Sequence, residues 1–203
     1  MTISSLDPKT ALILIDLQTA VLALPSAHPM DRVVENAGTL ADAFRLHDLP
    51  VVLVTVAGGA PGRTEGVRRS GGERPAGWAD LAPRLDGHPD DYRVTKHTWG
   101  AFTGTGLDEY LKGRGVTQVV LCGVSTSAGV ESTARHAHEN GFNVALAIDA
   151  MTDSNADAHH NSVTRIFPRL GETGTTAEII DLLEHGVAQN SSIKNGSFKH
   201  GGE

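Results

Sequence analysis

The chain has 203 residues, 39% of them apolar and 20% charged, with a formal net charge of −7. That length suits one domain with a sizeable core, and an acidic balance without any Lys/Arg-rich run speaks against an extended nucleic-acid footprint. A single cysteine, Cys122, excludes an internal disulfide framework and cysteine-based metal clusters. The opening MTISSLDPKTALILIDLQ reads as a first strand and not as a signal peptide, and no apolar run of the ~18 residues needed to span a bilayer occurs, so a cytoplasmic protein is the default expectation.

Residues 11–15 (ALILI) form a buried-strand pattern that ends at Asp16. A carboxylate just past an all-apolar strand either caps the next turn or works in a site at the carboxyl edge of a sheet. Residues 31–47 have helical spacing, with Val33, Val34, Ala37, Leu40, Ala41 and Phe44 on one stripe, and Pro50 punctuates them before a second strand over 51–56. This β–α–β order implies a parallel pair with a right-handed crossover. Residues 58–89 are a Gly-, Pro- and Arg-rich insertion, whose length marks a lid or a mobile loop. Trp78, Leu81 and Leu85 are expected to anchor its second half as a short helix. Arg63, Arg68, Arg69 and Arg74 could bind an anionic substrate, pair with a neighbouring subunit, or simply be solvated.

Residues 91–95 read as a third strand that delivers Lys96 at its end, and a small-residue link, Trp99 to Phe102, leads to a helix over 105–114. Residues 119–122 are a fourth buried strand, broken at Gly123. Helical spacing resumes from about Ser127, with Val130, Ala134 and Ala137 on one face. A fifth strand over 143–148 ends at Asp149, a helix lies near 155–167, and a short strand (174–176) and a helix (177–185) complete the pattern. The polar stretch 190–203 reads as a flexible tail. Strands alternating with helices predict an α/β fold, a three-layer sandwich with a six-stranded, mostly parallel, Rossmann-like sheet in one domain over 1–189.

The stretch 117–137 organises this chain. A buried strand, a tight turn of small residues and a helix N-terminus present backbone N–H groups and the positive end of a helix dipole at the sheet edge. Ser125, Thr126 and Ser127 either belong to such a site or merely cap the helix. Three strand ends converge there: Asp16, Lys96 and the turn 123–129. A carboxylate beside an ammonium group is either a proton-transfer pair, in which each shifts the other's pKa, or an ordinary ion pair.

The motifs ILIDLQ (13–18), KHTWGAF (96–102), GVSTSAGVESTARHA (123–137) and the end block DAMTDSNADAHHNSV…FPRLGETGTTAEII together resemble the isochorismatase-like cysteine hydrolases over almost the whole chain. That family includes isochorismatases, nicotinamidases and N-carbamoyl amide hydrolases. The resemblance implies an Asp–Lys–Cys triad in the amidase branch, and Asp16 and Lys96 match its first two positions. Gly129 stands at the nucleophile position and has no side chain, so a covalent thioester at that position is excluded. Cys122 lies inside the strand, seven residues earlier, and is expected to be an inert core thiol. Ser125 or Ser127 is the remaining candidate for a substitute nucleophile.

True isochorismatases of the family also carry Gly at that position and hydrolyse a vinyl ether without a covalent intermediate. By that resemblance Asp16 is the general acid, Lys96 tunes it and holds an anionic substrate, and Gly129 makes room beside the N–H donors of the turn. Such an Asp needs a raised pKa, so burial has to outweigh the attraction of Lys96. Gln18, Trp99, Phe102, Val124, Ser125 and Thr126 are expected to line the substrate site, and a non-proline cis peptide is expected around Val124–Ser125. This chain departs from the isochorismatases in having Ser125-Thr126-Ser127 where they have Tyr-Ala-His, and Ala57-Gly58-Gly59 where they have a substrate-binding Gln. The Asp-x-His and second His of the nicotinamidase metal site are missing from 54–72, so no metal or other cofactor is expected. Neighbouring histidines (His159 with His160, His136 with His138) point apart on a helix and make poor joint ligands, and His159 is expected to pack near the turn.

The reading that results is a hydrolase acting on a small anionic molecule by Asp/Lys acid–base chemistry. A catalytically silent member that binds or regulates through the pocket, and an amide hydrolase using another nucleophile or an Asp16-activated water, are the alternatives. The expected partners are a small-molecule substrate and further copies of the chain, as a homodimer or homotetramer, with no nucleic acid and no membrane.

Overall fold

Every position of β1 (Thr10–Ile15) is buried, as a central strand covered on both faces requires. The computed structural model describes residues 2–65, 75–86 and 88–185; Arg68, Arg69, Arg74 and the tail 190–203 lie outside the described residues. After β1 come a short α1 (Thr19–Leu22), α2 (Met30–Leu46), β2 (Val51–Val56), β3 (Tyr92–Lys96), α3 (Leu107–Gly113) and β4 (Gln118–Val124). A wide turn over Thr126–Val130 then leads into α4 (Glu131–Glu139), followed by β5 (Asn143–Thr152), α5 (Ala156–Asn161), β6 (Glu172–Gly174) and α6 (176–185).

The strands form one six-stranded parallel sheet in the order β3-β2-β1-β4-β5-β6. The period-2 alternation of strand side chains sorts β1 between two cores. Leu12 and Leu14 pack with Val33, Ala37, Leu40 and Phe44 of α2 and with Ile179 of α6. Ala11, Ile13 and Ile15 pack on the other face with Leu107 of α3 and with Ala134 and Ala137 of α4. The chain lays β2 and β3 to one side of β1, then returns to place β4 on the other. The carboxyl ends of β1 and β4 therefore border the crevice where the strand order reverses, the usual ligand position of an open α/β sheet.

Four local features differ from the sequence expectation, each for a readable reason. Residues 76–85 fold as successive turns and not as a helix, because Gly77 takes a left-handed φ of 74° and Pro83 cannot continue a helical ladder. Leu81 and Leu85 still anchor the segment in the core. β5 continues past Asp149 to Thr152, since its pairing with β4 slips between Leu121 and Gly123 and then resumes at Met151 and Thr152. The last strand ends at Gly174, because Thr175 opens α6: its N–H donates to Glu178 Oε2 at 2.7 Å and its Oγ1 accepts the Glu178 N–H at 3.3 Å, a reciprocal cap. The helix expected near 155–167 is α5 continued through a wider turn over Ser162–Ile166, with Asn155 as its N-cap.

Candidate functional site

Asp16 directly follows β1 in the left-handed region (φ 53°), a conformation that Asp tolerates better than most residues. Its N–H donates to Val54 O at 2.9 Å, which fixes the turn to β2. Lys96 closes β3, and its side chain, 1% exposed, places Nζ 2.7 Å from Asp16 Oδ2. The ammonium group also donates to Trp99 O at 2.8 Å and to Thr98 O at 3.2 Å. A lysine has three N–H donors, and these three acceptors take them all. Asp16 Oδ1, by contrast, is buried and has no hydrogen-bond partner among the described residues. Burial pushes the Asp16 carboxyl up from 3.8 to about 6, outweighing the charge and hydrogen bond of Lys96, which pull it down. Desolvation wins this contest.

The wall facing the pair is the turn after β4. Gly123 has φ 113°, and a Cβ there would fall on the Ile15 carbonyl oxygen, so only glycine lets β4 lie this close to β1. The Val124–Ser125 peptide is cis. Val130 N–H reaches back five residues to Ser125 O at 3.1 Å, which makes the turn wider than an α-helical one. Gly129 is buried against the pair: a Cβ placed on it would lie 3.0 Å from Ile15 Cγ2, 3.2 Å from Val124 O and 3.4 Å from Asp16 Oδ2. A side chain at position 129 would therefore stand against the Asp16 carboxylate.

Of the other residues expected to line the site, each is placed by the fold in its own way. Gln18 is fully buried, and its amide is engaged by the backbone: Oε1 accepts the Val56 N–H at 2.7 Å and Nε2 donates to Val56 O at 3.2 Å, so it braces the end of β2 instead of offering its amide to a substrate. Phe102 turns away, with its ring 6.0 Å from that of Phe142, which precedes β5 at the opposite edge of the sheet. Trp99 is 64% exposed on the loop whose carbonyls hold Lys96. Val124 points into the α2-side core with Val120 and Cys122, leaving its carbonyl to face Gly129. Ser125 makes no capping bond, and its carbonyl serves the turn. Thr126 Oγ1 lies 2.8 Å from His159 Nδ1. Arg63 is exposed.

Two residues that the sequence reading passed over hold the turn. Asp153, buried after β5, accepts both the N–H and the O–H of Ser127 on Oδ2, each at 2.8 Å, so it caps the turn from outside. Its signal was the same as that of Asp16, a carboxylate at a strand end, hidden because the strand runs beyond Asp149. Thr133 donates to Gly129 O at 2.7 Å and accepts the Ala101 N–H at 3.1 Å, tying the Gly129 turn to the Lys96 loop. Cys122 faces the other core and burial drives its thiol pKa far upward, so it has no access to the pair. Among the described residues no group of three or more His, Cys, Asp or Glu gathers to hold a metal ion, and no helix is long and apolar enough to cross a membrane.

The model of the isochorismatase domain matches residues 10–178, the span that carries the sheet, the pair and the turn. The chain belongs to the isochorismatase family. It is 41% identical over 182 residues to the uncharacterized isochorismatase family protein YwoC of Bacillus subtilis (strain 168), covering 87% of this chain and 95% of that one. The uncharacterized isochorismatase family protein YecD of Escherichia coli O157:H7 is 39% identical over 181 residues, 86% of this chain and 96% of its own. The solved structure of an isochorismatase family protein from Burkholderia thailandensis superposes with a TM-score of 0.85 at 42% identity, over 90% of this chain and 100% of that one. Isochorismatase-family members are hydrolases, and the α/β Rossmann-like architecture is that of the family.

Proposed function

We propose that this isochorismatase-family chain hydrolyses a small molecule by acid–base chemistry at Asp16, without a covalent enzyme intermediate. The observation that carries the reading is the state of Asp16: a carboxyl raised to about 6, with Oδ2 held by Lys96 and Oδ1 buried with no partner among the described residues. A carboxylic acid poised near neutral pH, with one oxygen unclaimed, is a proton donor matched to general-acid work. Lys96 keeps that carboxyl oriented and limits how far its pKa climbs. Because its three N–H groups are already taken, an anionic substrate has to find its counter-charge on other groups. Gly129 packs bare beside the carboxylate, so no nucleophilic side chain stands against Asp16.

On an enol ether, the Asp16 proton goes to the terminal carbon of the double bond. Water adds to the oxocarbenium carbon that results, the hemiketal loses its alcohol, and the proton released from water restores the acid. Covalent amide hydrolysis has less support, since Gly129 supplies no nucleophile and Cys122 faces the opposite core. The test is turnover of isochorismate and of a panel of small amides by the wild type, Asp16→Asn and Gly129→Cys. Enol-ether turnover lost in Asp16→Asn is the expected result. Amide turnover that arises only in Gly129→Cys would instead mark an amidase scaffold without its nucleophile.

A further inference from the structure

The turn that carries Gly129 is held on its outer side by a second set of titratable groups. Thr126 is fully buried, with Oγ1 2.8 Å from Nδ1 of His159 on α5. The His159 ring tilts against that of His28, with centroids 4.6 Å apart, and His28 Nδ1 lies 3.0 Å from Thr152 Oγ1 at the end of β5. The His28 segment is tied to the same region, because Ala27 N–H donates to Asp153 O at 2.7 Å and the Asp153 carboxylate holds Ser127. A hydroxyl both donates and accepts, so the imidazole decides the direction of the Thr126 bond. With its hydrogen on Nε2, neutral His159 accepts the Thr126 O–H at Nδ1. Once protonated, Nδ1–H donates to Oγ1, and the hydroxyl hydrogen has to turn to another acceptor.

We propose that His159 is a positioning residue for the Gly129 turn, whose protonation reverses the Thr126–His159 hydrogen bond and gives the turn two hydrogen-bonded states. As a statement about the site this rests on the proposed function, whereas as a statement about the turn it stands independently. The groups facing His159 are His28 from the loop before α2, Asp153 from beyond β5, and His160 on its own helix. The turn over 125–130 has no charged side chain. Burial first, and then His28, lowers the pKa of His159 below the ordinary imidazole value, with Asp153 opposing them. The neutral state therefore prevails at neutral pH, and the reversal falls on the acid side.

The experiment is an NMR titration of the full chain between about pH 5 and 8, following the His159 ring nitrogens and the amides of Thr126 to Gly129. The expected result is an unprotonated, hydrogen-bonded Nδ1 at high pH and turn amides that shift with the midpoint of the His159 ring. His159→Asn puts a non-titrating acceptor near the Nδ1 position and should hold the high-pH amide shifts throughout. Thr126→Ser should keep the coupling, and Thr126→Val should lose it. An Nδ1–H tautomer in neutral His159 would overturn the inference. So would turn amides that ignore the ring's titration, or that still follow it in Thr126→Val. Coupled amides in a chain with no measurable hydrolysis would support the inference and count only against the proposed function.

Discussion

Replacing Asp16 with Asn removes one titration and nearly nothing else in shape, which makes its pH dependence informative. In the unfolded chain the carboxyl titrates near its ordinary 3.8, and in the folded protein at about 6. The folded state therefore holds the proton more tightly. Stability from this group is fully present below the unfolded value and is lost as pH rises through about 6. A shift of roughly two units at 1.36 kcal/mol each gives about 3 kcal/mol, of which about 2 kcal/mol falls between about pH 4 and pH 8. Urea denaturation of wild type and Asp16→Asn across that range cancels the other titrating groups to first order. Wild type should lose about 2 kcal/mol relative to the variant as pH rises. The absolute offset between the two also contains the loss of the carboxylate from Lys96, so the slope carries the test. A flat difference, or one in which wild type gains with pH, would refute the reasoning: Lys96 would then outweigh burial and the pair would be an ordinary ion pair.

Other expectations follow from the packing of the turn. Gly129→Ala places a methyl 3.0 Å from Ile15 Cγ2 and 3.2 Å from Val124 O, and should cost about 1–3 kcal/mol in denaturation while lowering hydrolysis at least ~10-fold. An unchanged stability and rate would show that the seat is looser than its geometry. Gly123→Ala combines a φ of 113° with a collision against the Ile15 backbone, and should cost more than ~4 kcal/mol or prevent folding. Cys122, buried and with its thiol pKa pushed up, should react with an aromatic disulfide reagent only as fast as the chain unfolds; immediate reaction of the native protein would contradict its placement.

The centre of the fold was legible because β1, β2, β4 and the first half of β5 are apolar runs. Strand and helix alternation yields the parallel sheet, and the charged ends of β1 and β3 are Asp16 and Lys96, which do meet. The strand expected over 174–176 left out a local signal, the capping pair Thr175 and Glu178, which turns the chain helical at Thr176. What escaped was set by tertiary contacts. Asp149 interrupts an apolar run that resumes at Ala150, so the apolar pattern alone ends the strand short of Asp153. Phe102 closes the loop motif in sequence yet finds its partner in Phe142, 40 residues away. The partners of the Thr126 and Ser127 hydroxyls, His159 and Asp153, come from beyond β5, and local pattern alone favours simple capping. Gln18 is two residues from Asp16 in sequence, but the chain leaves β1 at the left-handed Asp16, and the Gln18 amide goes to the Val56 backbone at the end of β2.

The central claim is that Asp16 acts as an acid, and the pH dependence of kcat/KM for an enol-ether substrate tests it most directly, because that quantity reports the free enzyme's ionisations. The rate should be high on the acid side and fall by about tenfold per pH unit above about 6, with Asp16→Asn lacking the titrating activity altogether. A rate that rises with pH to a plateau, or an Asp16→Asn variant that keeps the wild-type profile, would contradict it.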